Sequence, residues 1–371
     1  MNLVDGNEAI ALGAVAAGCN FFAGYPITPA TTIYAHLLRL LPARGGIAMQ
    51  GEDEIASMGF CLGAAMCGKK VMTATSGPGM SLYSEQLSFA LGSEIPLVIV
   101  DVQRLGPSTG SATRGADGDI QFLRWGSSGG MPIIVLAPTN VRDCFVLTLE
   151  AFNLAEEYRC PVIIASNKEI ATTNESVDLQ AIQKPAIKNR AAYSGRGKYR
   201  PFAIPEGRLV PDFLPFGADQ IVRCISSTHG PDGYITTDAE EIGACRERMR
   251  DKLLTTVEKY SLYEACINER AETLVITYGV TARSARVVFD ELHDTDAPIS
   301  LLVLKTLWPA PEKVIESAAK GVKRVVVVEM NLGAYLYEIQ RILRGKQVDF
   351  CGRMDGRLLT PQRIREVVAN G

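Results

Sequence analysis

Pro96-Leu97-Val98-Ile99-Val100-Asp101-Val102 is an apolar, largely β-branched run without alternation. A strand of that pattern is covered on both faces, which points to a parallel sheet with helices on either side. Shorter runs repeat it at Phe21 to Gly24, Ile47 to Met49, Lys70 to Thr75, Ile133 to Leu136 and Pro161 to Ile164. Between them, Asn7 to Ala17, Ile33 to Leu41, Glu54 to Met66 and Val141 to Glu157 carry helical spacing. Strands alternating with helices need right-handed crossovers, so residues 1–175 are expected to form a parallel α/β domain. The alternation restarts over 271–371. Leu274 to Tyr278, Ile299 to Leu304 and Val325 to Glu329 read as strands, each followed by a helix, and predict a second, smaller α/β domain. The intervening residues 176–270 have no apolar period from Lys188 to Arg208 and read as an irregular connector. Its basic cluster would either meet a phosphate-bearing ligand or acidic partner, or lie as a solvated strap over a joint. Ala239 to Arg270 reads as a charged, exposed helix.

Two domains and a connector suit 371 residues. A net charge of -3 lacks the basic excess of a nucleic-acid surface. No apolar run reaches membrane-spanning length. Met1-Asn2-Leu3-Val4-Asp5 lacks the basic start and apolar core of a signal peptide, so a cytoplasmic protein is expected. The nine cysteines form no Cys-x-x-Cys pair and none sits beside a histidine at ligand spacing. They read as free thiols in a reducing compartment, with no metal held by this chain. The histidines number only three, which supplies a histidine-based triad poorly.

In a parallel sheet, ligands bind at the carboxyl ends of the strands. Four loops there draw attention. Tyr25-Pro26-Ile27-Thr28-Pro29 places two prolines around a threonine; it fixes the Thr28 hydroxyl for a ligand or simply turns the chain into a helix. Gln50 to Glu54 puts three acids at a helix start, where carboxylates complement the dipole. Glu52 and Asp53 suffice for that, which frees Glu54, followed by small and apolar residues, to share a proton with a ligand nitrogen. Ser76-Gly77-Pro78-Gly79 has the look of a phosphate cradle but neither a Walker lysine nor spaced dinucleotide glycines. Arg104 directly follows a strand, where a guanidinium either captures a substrate carboxylate or pins its loop by a salt bridge. Arg114 would supply a second cation, as a dicarboxylate requires.

These segments, with Gly6 to Ala9, Thr73 to Gly79, Gln103 to Gly110, Gly118-Asp119 and Lys305 to Pro309, resemble the α subunit of 2-oxoacid:ferredoxin oxidoreductases, closest to the 2-oxoglutarate branch. The resemblance implies a pyrimidine-type thiamine-binding domain followed by a transketolase C-terminal-like domain. It implies that Glu54 contacts the aminopyrimidine of thiamine diphosphate, that Tyr25, Pro26, Ile27, Thr28, Ser76 and Gly77 line the cofactor, and that Thr28, Arg104 and Arg114 face the substrate. A separate β subunit would hold the diphosphate, Mg2+ and a [4Fe–4S] cluster, with γ and δ functions on further subunits. Coenzyme A and ferredoxin would complete the oxidative decarboxylation. A β-type subunit of a lipoamide-linked dehydrogenase and a non-catalytic scaffold of the same fold are the alternatives. One departure stands out: Ala334 occupies a position where the family often has Gln, and no role follows for its loop.

Overall fold

The computed structural model describes residues 2–370. A seven-stranded sheet has the spatial order Thr306–Trp308, Ile134–Leu136, Pro161–Asn167, Leu97–Gln103, Val71–Thr75, Phe21–Gly24, Ile47–Gln50. All its strands run parallel except Thr306–Trp308, which is antiparallel to Ile134–Leu136. Every residue of Leu97–Gln103 and Pro161–Asn167 is buried, as the unbroken apolar runs require. Helices Gly6–Ala16 and Val141–Tyr158 pack on one another over this sheet. Ala9, Ala11 and Ala14 are fully buried there, and a side chain on Gly13 would begin 2.7 Å from the Phe145 carbonyl. Small residues at that spacing let the two helices approach closely.

The second sheet has five strands in the order Gln347–Gly352, Arg324–Glu329, Thr273–Tyr278, Ile299–Leu304, Tyr263–Cys266. The first four are parallel; Tyr263–Cys266 is an antiparallel edge. The expected helix over Ala239 to Arg270 is therefore shorter. It spans Ala239–Leu254, is followed by one turn at Val257–Tyr260, and then gives way to the edge strand. Four residues half-facing solvent carry too little alternation to announce a strand, and the charges around them imitate an exposed helix.

No helix or strand occurs over residues 178–238. The connector is nevertheless tied down. Arg190 pairs with Glu156 at 2.5 Å, both nearly buried, and its guanidinium also donates to the carbonyls of Ala65 and Lys69. Arg159 donates to the carbonyls of Pro211 and Asp212. Of the two readings of the basic cluster, Arg190 thus follows the strap. No helix among the described residues is long and apolar enough to cross a membrane.

A buried ionic knot joins helix Ala239–Leu254 to the first domain. The fully buried Glu94 receives Arg248 at 2.6 Å and Lys252 at 2.8 Å. Burial alone would raise the Glu94 pKa, but the charges of Lys252 and Arg248 outweigh it and hold the carboxyl well below the usual carboxylate range. Glu94→Ala leaves the buried Lys252 and the largely buried Arg248 without a counter-charge and is expected to destabilise the chain by about 3–5 kcal/mol. Because the folded pKa is depressed, this contribution is present above the unfolded value of about 4.3 and fades as pH falls below it. Urea titrations of both forms at several pH values check the size and the trend.

Candidate active site

The carboxyl ends of Phe21–Gly24, Ile47–Gln50, Val71–Thr75 and Leu97–Gln103 bring the four loops to one edge of the first sheet. Asp53 caps helix Glu54–Met66, its side chain accepting from the Ala56 amide at 2.7 Å. Asp53 and Glu52 remain exposed, whereas Glu54, the first helical residue, is only 8% exposed and turned inward. A side chain on Gly79 would begin 2.9 Å from Glu54 Cγ and would clash with the Thr75 hydroxyl. Gly79 is thus what lets Glu54 lie against the turn after Val71–Thr75. Behind it the buried Tyr83 hydroxyl bonds the Thr73 hydroxyl at 2.9 Å. Among the described residues no donor bonds the Glu54 carboxylate and no cation pairs with it. The Glu54 side chain is packed inward while its carboxylate oxygens are not sealed off, so they stay open to a proton-bearing ring nitrogen brought by a ligand.

Arg104 is 7% exposed and its Nη1 donates to the Thr28 carbonyl at 2.6 Å. Its Nε is buried without a partner. The guanidinium therefore pins a loop, through a carbonyl rather than a salt bridge, and retains donor capacity. Tyr25 and Thr28 are exposed at the mouth, with Pro26 and Ile27 half-buried between them. Arg114 is exposed as well, and the bond from the Leu105 amide to its carbonyl, 2.8 Å, holds it beside Arg104 along the backbone. Ser76 is fully buried with an unpartnered hydroxyl. A side chain on Gly77 would begin 2.9 Å from Asp119 Oδ2. The turn that has the look of a phosphate cradle thus faces a carboxyl group. On the helices that follow these loops, Ile55, Phe60 and Leu82 expose apolar side chains.

The acids behind the loops were not recognised in the sequence as a group. Asp101 is fully buried with no amide, hydroxyl or cationic donor at either oxygen, and Asp117 and Asp119 each have one such oxygen. Burial pushes Asp117 up to about 7, against the hydrogen bond from Asn167. Burial pushes Asp119 up to about 6, while its bond with Asp101 and the charge of Arg104 pull the other way. Burial and the neighbouring charge of Asp119 raise Asp101 well above the usual range. The available signal was the lone acid inside the apolar run Pro96 to Val102.

Residues 12–248 match the family described as pyruvate flavodoxin/ferredoxin oxidoreductase, thiamine diphosphate-binding. Residues 271–364 match core domain II of pyruvate:ferredoxin oxidoreductase. The chain belongs to this oxidoreductase family. It is 38% identical to the 2-oxoglutarate synthase subunit KorA of Methanothermobacter thermautotrophicus, over 98% of this chain and 97% of that one. It also superposes on 2-oxoglutarate:ferredoxin oxidoreductase from Magnetococcus marinus with a TM-score of 0.93 at 32% identity, covering all of this chain and 65% of that one. That structure has 2-oxoglutarate, coenzyme A and succinyl-CoA bound. The fold alone is shared with a split-gene transketolase, TM-score 0.57 at 12% identity.

Proposed function

We propose that this chain is the α-type subunit of a 2-oxoacid:ferredoxin oxidoreductase that converts a 2-oxoacid, 2-oxoglutarate above others, and coenzyme A to acyl-CoA, carbon dioxide and reduced ferredoxin. The observation that carries the reading is the inward-turned Glu54, paired by no described donor, at the same sheet edge as Thr28 and Arg104. Thiamine diphosphate, when bound, supplies the nucleophilic carbon and the electron sink that oxoacid decarboxylation needs. Toward that cofactor, Glu54 holds a proton at the aminopyrimidine, and Tyr25, Pro26 and Ile27 border the ring. Ser76 and Gly77 shape the same end rather than grip phosphate, since Asp119 beside Gly77 would repel an anion. Arg104 steadies the Thr28 carbonyl and directs its remaining donors at the substrate's 1-carboxylate, leaving the Thr28 hydroxyl for the keto oxygen. Arg114 meets the distal carboxylate, which favours a dicarboxylate.

The diphosphate, Mg2+ and a [4Fe–4S] cluster belong on a β subunit, with γ and δ functions on further chains. One observation supports a shared site: Ile55, Phe60 and Leu82 expose apolar side chains that a second chain would cover. Kinetics of the copurified complex on a panel of 2-oxoacids test the substrate. The highest kcat/KM is expected for 2-oxoglutarate; equal or better turnover of branched or aromatic oxoacids would remove Arg114 from its role.

A further inference from the structure

The C-terminal domain grips the loop that carries Arg104 and Arg114. That loop leaves the first sheet at Arg104 and returns at Asp119, where the amide donates to Gln103 Oε1 at 3.0 Å. At its buried end, the Asp117 amide donates to the Met330 carbonyl at 2.8 Å. In return, Asn331 Nδ2 donates to the Asp117 carbonyl at 2.8 Å. The Asn331 side chain is itself immobilised. Its Oδ1 accepts from the amides of Gly333 and Ala334 at 2.8 and 2.9 Å. Its Nδ2 also lies 2.8 Å from the Tyr278 hydroxyl and 2.9 Å from Glu329 Oε2, which accepts from Tyr278 at 2.7 Å. Asn331, Tyr278, Glu329 and Asp117 are all buried. Two further touches reach the loop from the same side. The Met354 methyl lies 2.9 Å from where a side chain on Gly118 would begin, and Arg114 Cβ lies 2.8 Å from the same point on Gly356.

We propose that Asn331 is a positioning residue: by clamping the Asp117 backbone from the second domain, it sets the loop that presents Arg104 and Arg114 to the substrate. The role rests on the functional reading above for its substrate, but the clamp itself is a property of this chain. Asn331 fills a part that the sequence left without a function, and Gln121 of the first domain, whose side-chain amide donates to the Ala334 carbonyl, holds the Asn331 to Ala334 loop in turn.

The test compares wild type, Asn331→Ala and Met354→Ala in the purified complex. Asn331→Ala is expected to raise KM for the 2-oxoacid about tenfold, with a smaller fall in kcat and unchanged thiamine diphosphate affinity. Met354→Ala leaves no buried polar group unpaired and is expected to raise KM roughly threefold. Hydrogen exchange of the 115–119 amides should accelerate about tenfold in Asn331→Ala while the amides of 71–75 keep their rates. Unchanged loop exchange with unchanged KM overturns the proposal, as does a loss of kcat alone that follows the folded fraction. Should Asn331→Ala fail to assemble, Met354→Ala decides by the same readouts. A wild-type complex without oxoacid-dependent turnover defeats the functional reading instead, and loop exchange then decides the clamp by itself.

Discussion

Glu54→Gln is expected to lower 2-oxoacid-dependent reduction of ferredoxin or a viologen dye by about 10²–10⁴-fold in the reconstituted complex. The substitution keeps the size of the side chain, so the contact across Gly79 is preserved. No donor of the chain relies on the Glu54 carboxylate, so folding should be nearly unaffected. What is lost is the ability to take and return a proton at the cofactor's ring. Near-normal turnover would remove Glu54 from the chemistry, and a large fall in melting temperature would assign it a structural role.

Arg104→Ala should lower kcat/KM for the oxoacid by about 10–200-fold, chiefly through KM, with cofactor retention nearly intact. Two losses combine. The substrate carboxylate loses a charge-assisted partner, and the Thr28 carbonyl loses the 2.6 Å donor that fixes the Tyr25 to Pro29 loop. Arg104→Lys separates them, because a single ammonium restores charge without the planar fork that serves two acceptors at once. Equal kinetics for wild type and Arg104→Ala would place the arginine outside the site.

The central parallel strands were legible because they are buried on both faces and write themselves as unbroken apolar runs, whereas Gln347–Gly352, a half-exposed edge strand, was not read. Glu54–Met66 was legible to the residue, since an acidic cap and a change of period mark its start. Thr306–Trp308 was not. Three residues hold no period, and their antiparallel pairing with Ile134–Leu136 joins segments about 170 positions apart. Tyr263–Cys266 was taken for helix for the related reason that an edge strand shows solvent on one side. Thr28, Glu54 and Arg104 could be singled out as candidates from their loops because strand ends gather ligand-binding residues. Their supports could not. Asp101, Asp117 and Asp119 matter through burial and mutual repulsion, and Asn331 through one carbonyl 214 positions away. Neither property is written in local spacing.

The half-site itself is tested by measuring ferredoxin reduction from 2-oxoglutarate and coenzyme A with this chain alone, with its copurified partner alone, and with both. The expected result is no turnover from either component and full turnover from the pair. Turnover by this chain alone, or electrons passing from the pair only to NAD through a lipoyl protein, would contradict it.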